Sequence, residues 1–181
     1  MKIEKYNDDY RVHTHVDAKG RIVEEAEYIG RSFRFKADPH KRRTQACLMV
    51  ILNGISMAIL LAGLACGASL EKVAYAVIPH TASLIPLWFT IRGLAILAAD
   101  KNVLTREQKD RMSHYFIAGS WSALAALLLA ILGSLVYLLF VSPDSPGRME
   151  WFFLMSEVVS LGSAAFTLSR RKLADVVCIQ E

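Results

Sequence analysis

The apolar residues of this 181-residue chain are concentrated in four long stretches that follow a polar amino-terminal part. The stretches cover residues 46–66, 74–99, 115–141 and 151–169, and the first and third contain no charged side chain. A helix needs roughly 20 residues to cross the ~30 Å hydrocarbon core of a bilayer. The pattern therefore predicts an all-α membrane protein, a bundle of four transmembrane helices.

The polar amino-terminal part shows the two-residue period of a β-strand instead. Side chains alternate over residues 11–16 between an apolar or hydroxyl face and a basic or imidazole face. Residues 17–20 then form a turn signal with Asp first and Gly last, and a second strand follows over residues 21–29. This predicts a small β-hairpin, and the alternation at residues 32–36 predicts one more short strand.

The third helix is predicted to begin well before its apolar part. Thr105 and Gln108 have the spacing of a capping box, in which each side chain hydrogen-bonds the other residue's backbone amide. The helix would then run from Arg106 to Val141. At 1.5 Å per residue it would be ~54 Å long, so we expect it to tilt or to extend beyond the bilayer.

Basic residues set the expected orientation. Eleven of the 21 Lys and Arg residues precede the first stretch, four lie between the second and third, and three follow the fourth. The other two connections contain one each, Lys72 and Arg148. Because basic flanks are retained in the cytoplasm, both termini are expected there. Residues 1–43 would form a cytoplasmic hairpin and basic segment, 44–172 the bundle, and 173–181 a cytoplasmic tail.

The net charge of +4 changes this picture little. The surplus lies beside the predicted spans and not on a groove-sized face, which argues against nucleic-acid binding. Membrane lipid is the expected surrounding, and the compact layout favours a bacterial cell membrane. Anionic headgroups are expected to contact a basic cluster before the first span: Arg31, Arg34, Lys36, Lys41, Arg42 and Arg43.

Small residues recur in the predicted spans at four-residue spacings, which let helix backbones approach closely in lipid. The candidates for helix packing are Gly63, Gly67, Ala118, Ser122, Ala126, Ala130, Ser134, Ser156, Ser160 and Ala164. Packing within one four-helix bundle is the simplest explanation. A spare face of small residues used for self-association is the alternative.

Four polar residues within the spans form the candidate functional site: Asn53, His80, Arg92 and Glu157. Ionisable groups are costly in hydrocarbon, so each requires a partner or a function. Glu157 and His80 are expected at matching depth and are predicted to hydrogen-bond. Arg92 either extends to the headgroups or faces inward, toward Asn53 and Ser120, as an anion contact.

Motifs for chemistry are missing from the sequence. It contains no CxxC, HExxH, phosphate-binding glycine loop or GxSxG, and the sequence predicts no catalytic residue, cofactor or metal ion. The favoured hypothesis is a non-enzymatic accessory, anchoring or regulatory subunit that binds another membrane protein or itself. The alternatives are an oligomeric transporter or channel that uses the polar residues of helices two and four, and a membrane enzyme.

Overall fold

Four long helices account for most of the fold. The computed structural model describes residues 8–16, 22–66, 69–99, 102–141 and 147–179. Its helices, each long and apolar enough to cross a membrane, are α1 (Pro39–Ala65), α2 (Ala74–Ala98), α3 (Arg106–Val141) and α4 (Arg148–Ser169). Each coincides with one of the four apolar stretches, so the predicted set of helices is confirmed. The predicted turn at residues 17–20 lies outside the described residues.

Helix α1 begins earlier than its apolar stretch. Asp38 caps it, because the carboxylate Oδ2 accepts a hydrogen bond from the amide of Lys41 at 3.0 Å, and Pro39 occupies the first turn. The predicted division at residue 43 therefore falls inside a helix. The basic residues 41–43 belong to the first turns of α1 and not to a separate connecting segment.

Helix α3 is continuous but not uniform. Its predicted capping box is present, since the amide of Gln108 donates to Thr105 Oγ1 at 3.3 Å and the amide of Thr105 donates to Gln108 Oε1 at 3.4 Å. The helix has a π-helical turn at His114–Ala118 and another at Tyr137–Val141. Wider turns of this kind are frequent at functional sites.

Two small sheets lie at one end of the bundle. The predicted hairpin pairs β1 (Tyr10–Val16) with β2 (Ile22–Tyr28) in antiparallel register. The predicted third strand, β3 (Ser32–Phe35), is the centre of a separate antiparallel sheet with β4 (Val103–Leu104) on one side and β5 (Val176–Ile179) on the other. The segment predicted as a tail thus contains a strand. Strand β4 has only two residues, and the four residues of β5 are all apolar, so neither shows the alternation by which β3 was predicted.

We call this end of the molecule the sheet end and the opposite end the loop end. At the sheet end, Phe35, Leu104 and Leu173 are buried against the ends of the helices, together with Met112 and Phe116 of α3. The amino-terminal segment, the connection between α2 and α3, and the carboxy-terminal segment therefore share one apolar core. These three segments are far apart in the sequence.

A buried arginine lies beneath this sheet. Arg42 is only 1% exposed, and its Nη2 donates to the carbonyl of Ala99, just after α2, at 3.3 Å. Its guanidinium also lies 3.9 Å from the centroid of the Phe35 ring. The prediction that Arg42 contacts lipid headgroups is wrong, because the residue instead satisfies a carbonyl left over at a helix end. The other five members of the predicted basic cluster are exposed.

The hairpin is attached to the sheet end through Tyr28. Its hydroxyl donates to the carbonyl of Arg31 at 2.8 Å and accepts a hydrogen bond from the amide of Arg106 at 2.9 Å. That amide belongs to the first turn of α3, where helix amides lack partners within the helix. Asp9 lies 3.8 Å from the Arg106 guanidinium, so two contacts connect the hairpin to α3.

Helices α2 and α3 approach each other most closely through glycines. A Cβ atom added to Gly93 would lie 2.5 Å from the amide nitrogen of Phe116, and one added to Gly133 would lie 2.5 Å from the carbonyl of Tyr75. Both contacts are to backbone, which cannot move aside as a flexible side chain can. Glycine is therefore required at these two positions for the helices to pack.

Replacing Gly93 with Ala is expected to destabilise the bundle by about 1–3 kcal/mol, as overpacking typically does. The measurement is thermal or denaturant unfolding of the purified protein in a mild detergent. Gly54→Ala is the matched control, because no atom lies within 4 Å of the added Cβ. It should leave stability unchanged or raise it through helix propensity. Equal effects of the two substitutions would contradict the packing described here.

Candidate functional site

The burial pattern of the bundle is the reverse of that in a water-soluble protein. Large apolar side chains such as Leu139 and Phe140 are 67% and 78% exposed on the outside. Polar side chains of the helices are instead at most 2% exposed in the interior: Asn53, Ser56, His80, Ser83, Thr90, Ser120, Ser134, Ser156, Glu157, Ser160 and Thr167. Such groups must find partners inside the protein, since burial without a hydrogen bond costs several kcal/mol.

The most concentrated polar group is a cluster around His80 and Glu157, both fully buried. His80 Nδ1 lies 2.9 Å from Glu157 Oε1, which is the contact expected from the sequence. His80 Nε2 lies 3.1 Å from the carbonyl oxygen of Leu60, and Ser134 Oγ donates to Glu157 Oε2 at 2.9 Å. We call these four residues the His80–Glu157 cluster. Each of the four helices contributes one of them.

The partners in the cluster restrict where its hydrogens lie. A carbonyl only accepts hydrogen bonds, so His80 Nε2 must carry a hydrogen that it donates to Leu60. One further proton is then shared between Nδ1 and Glu157 Oε1. Either His80 is the imidazolium and Glu157 the carboxylate, or a neutral imidazole accepts from a carboxylic acid. In both cases the contacts between the four residues are satisfied.

Two further residues shape the space around His80. The Phe153 ring stacks on the imidazole with ring centroids 4.2 Å apart. A Cβ on Gly63 would lie 3.1 Å from Ser156 Oγ and 3.7 Å from His80 Cε1, so the small residue brings α1 close to α2 and α4. Neither Phe153 nor the Leu60 carbonyl could be identified from the sequence as part of the cluster, because an apolar ring and a backbone oxygen do not stand out within an apolar stretch.

Asn53 belongs to a different contact, nearer the sheet end. Its Nδ2 donates to the carbonyl of Met49 and to Thr167 Oγ1, both at 2.8 Å. It precedes Leu60 by seven residues, about 10 Å along α1. Asn53 therefore connects α1 to α4, and the structure does not bring it to the His80–Glu157 cluster.

Arg92 lies on the outside of the bundle. Its side chain is exposed, and its guanidinium lies 5.9 Å from the centroid of the Tyr115 ring of α3. The interpretation in which Arg92 faces inward toward Asn53 and Ser120 is therefore wrong. Ser120 instead donates to the carbonyl of Phe116 at 2.7 Å. The four polar residues singled out in the sequence thus occupy three separate places.

The predicted row of small residues on α3 does not lie on one face of the bundle. Ala118 and Ser122 are exposed, Ala126 is half-buried, and Ala130 and Ser134 are buried. A four-residue spacing drifts by about 40° per step on a helix of 3.6 residues per turn, so the row winds from the outside to the inside. The remaining candidates Gly63, Ser156, Ser160 and Ala164 are buried. Gly67 lies outside the described residues.

The His80–Glu157 cluster connects all four helices and is closed to solvent. The cluster has one shared proton and no exposed atom, so a substrate would have no contact with it in this conformation. Among the described residues, no group of three or more His, Cys, Asp or Glu side chains could hold a metal ion.

Comparison of the chain with protein-family models, with curated proteins and with solved structures finds no match.

The cluster is expected to contribute measurably to stability. A double-mutant cycle with His80→Ala and Glu157→Ala should give a coupling free energy of about 1–2 kcal/mol, near the upper range for hydrogen bonds between membrane helices. Denaturant unfolding in mixed micelles provides the measurement. A coupling indistinguishable from zero would show that the two side chains do not interact.

Two serine substitutions distinguish the contribution of the Ser134–Glu157 hydrogen bond from the general effect of removing a hydroxyl group. Ser134→Ala removes a donor to Glu157 and should destabilise the protein by about 1 kcal/mol. Ser122→Ala removes a hydroxyl that bonds only the Ala118 carbonyl of its own helix, and should change stability by less than about 0.5 kcal/mol.

Proposed function

We propose that this chain is a multi-pass integral membrane protein that acts as a non-enzymatic accessory, anchoring or regulatory subunit. The observation that carries the proposal is a strand edge at the sheet end that no described strand pairs with, next to a bundle whose buried His80 and Glu157 bond each other. The bundle supplies the anchor, and the sheet end supplies the surface for a partner. The partner would be another membrane protein or a second copy of the chain.

The reversed burial pattern supports membrane insertion. An exterior of Leu, Ile, Val, Phe and Trp would be an aggregation hazard in water, but it matches hydrocarbon. All four helices have the length that a bilayer requires. Lipid also explains why the polar side chains point inward, since hydrocarbon offers them no hydrogen-bond partner.

The position of the sheet supports a cytoplasmic sheet end. The three segments that carry most of the Lys and Arg residues contribute β3, β4 and β5, so they meet on one side of the bundle. Basic segments are retained in the cytoplasm during insertion. Both termini would then be cytoplasmic, and a bacterial cell membrane remains the favoured location.

Strand β5 provides the surface for a partner. The amide of Lys36 donates to the carbonyl of Asp175 at 3.0 Å, which makes these two a hydrogen-bonded pair of the antiparallel ladder. By alternation Val177 also bonds β3, whereas Val176 and Cys178 direct their amides and carbonyls away from it. Within the described part of the chain no strand pairs with this outer edge. Free edges are common sites of strand addition by a partner.

Transport through the bundle has less support. A pathway would need polar groups that reach water, whereas the His80–Glu157 cluster is fully buried and its members bond one another. Arg92, the third ionisable group of the spans, lies on the outside. The contacts of His80 and Glu157 between helices therefore support an anchoring role more than a transport pathway.

Affinity purification of the full chain from its own membranes is expected to yield a stable complex in which a partner protein or a second copy is stoichiometric. Cys178→Pro should abolish the complex without lowering thermal stability, because it removes only an outward amide on an edge strand. Cys178→Ala, which retains that amide, is the matched control and should keep the partner. A wild-type chain that purifies alone and monomeric would overturn the proposal, as would a partner retained by Cys178→Pro.

A further inference from the structure

A groove lies between α2 and α3 on the outside of the bundle, in its sheet-end half. Its volume is about 220 Å³, and we call it the α2–α3 groove. The residues that line it are Pro86, Phe89, His114, Tyr115, Ala118, Gly119 and Ser122. The rings of Phe89 and Tyr115 stack with centroids 5.5 Å apart and form its sheet-end wall.

The groove results from short side chains on the outer face of α3. Toward the interior the two helices are in contact, because a Cβ on Gly119 would lie 2.8 Å from Thr90 Oγ1. On the outer face, Ala118 and Ser122 are too short to fill the space that this close approach leaves beside Pro86. The π-helical turn at His114–Ala118 places His114 and Tyr115 at the sheet-end side of the groove.

A cationic side chain, that of Arg92, lies next to one wall of this groove, 5.9 Å from the centroid of the Tyr115 ring. Arg92 is three residues beyond Phe89 on α2, so it lies on the same helix face one turn nearer the sheet end. It stacks against Tyr115, and among the described residues no acidic side chain forms an ion pair with it. An exposed guanidinium that no carboxylate of the described residues pairs with, beside an apolar groove, is complementary to an anion with an apolar chain.

A second copy of this chain is a poor source of that anion. The four apolar stretches contain a single acidic residue, Glu157, and it is fully buried. A copy docked side by side in the membrane would therefore bring no exposed carboxylate to the depth of Arg92. A lipid phosphate, in contrast, lies at the boundary between headgroups and hydrocarbon, which a guanidinium near a helix end can reach.

We propose that the α2–α3 groove binds one anionic phospholipid. Arg92 and an imidazole N–H of His114 contact the phosphate, and part of an acyl chain lies along Ala118 and Ser122. This inference rests on the proposed membrane location. It differs from general headgroup attraction to the basic cluster, because it assigns one lipid molecule to one groove.

The test is native mass spectrometry of the purified full chain in a neutral detergent, titrated separately with phosphatidylglycerol and phosphatidylcholine. The wild type should bind one phosphatidylglycerol in preference to phosphatidylcholine. Arg92→Gln should weaken phosphatidylglycerol binding about fivefold, the loss expected for one basic contact. Ser122→Phe, which fills the groove from its exposed side, should weaken binding of the same lipid at least as much.

Arg170→Gln is the matched control. Arg170 is also exposed at the sheet end, and its guanidinium lies 5.3 Å from the Phe166 ring, but the adjoining cavity measures only about 50 Å³. This variant should retain lipid affinity within twofold. Equal loss in both arginine variants would overturn the proposal, because it would indicate general charge attraction.

Three further outcomes would also overturn it. Equal affinity for the two lipids would exclude an anion site, and displacement by excess glycerol phosphate would indicate a soluble anion. If the wild type is a dimer and Ser122→Phe converts it to a monomer that still binds the lipid, the groove is an interface between two copies and not a lipid site. Carbonate washing of the source membranes tests the proposed membrane location independently of lipid binding. A chain that stays in the washed membrane but shows no lipid preference contradicts only the lipid site in the groove. A chain that the wash releases contradicts the proposed function.

Discussion

The hydrogen bonds around Glu157 constrain all four helices at once. His80 of α2 and Ser134 of α3 bond the two carboxyl oxygens, and His80 also bonds the Leu60 carbonyl of α1. None of these groups has access to water, so each helix must be rotated to present its polar member inward or leave it unsatisfied. Once these rotations are fixed, apolar side chains such as Leu87 and Leu127 pack inside the bundle, and others such as Leu132 and Leu139 face outward.

The same constraint explains the division of the molecule into a bundle and a sheet end. In the bundle, most buried polar side chains bond each other or helix carbonyls, although Asn53 Oδ1 and Ser163 Oγ have no hydrogen-bond partner among the described residues, and the exterior matches hydrocarbon. At the sheet end, Arg42 and Phe35 connect the start of α1 to the end of α2 and to a sheet made from three distant segments. The strand edge at the sheet end and the outer groove between α2 and α3 are the two surfaces on which the proposed partner and the proposed lipid would bind.

Much of this fold could be predicted from the sequence, because length, apolar content and capping are local properties. The four helices, the start of α3 at Arg106 and the β1–β2 hairpin follow from patterns within single segments. The His80–Glu157 contact was predictable because two costly groups were expected at the same depth and each required a partner. Its role in packing follows from the geometry, whereas its use in any activity stays a prediction.

Other features depend on contacts between segments that are distant in the sequence, so no pattern within a single segment predicts them. Strand β4 is only two residues long and β5 is apolar throughout, so neither alternates, and both form strands by pairing with β3. Whether Arg92 faced inward depended on the rotation of α2, which Pro86 and the contact between Gly119 and Thr90 influence. In the sequence, Arg42 is indistinguishable from its basic neighbours. It is buried only because Phe35 and the end of α2 pack against it in the folded structure.

The central claim is that lipid covers the exposed apolar faces while the polar interior stays dry. Its most direct test is a scan with a membrane-impermeant thiol reagent on native membranes, using single cysteines in a chain whose three native cysteines have been replaced. Leu128→Cys and Leu132→Cys, at positions exposed in the isolated bundle, and the buried Glu157→Cys should all be unreactive. Ser113→Cys at the sheet end, which is proposed to face the cytoplasm, should react once that side of the membrane is accessible to the reagent. Labelling at position 128 or 132 in intact membranes would contradict the lipid-covered exterior, and labelling at 157 would contradict the dry interior.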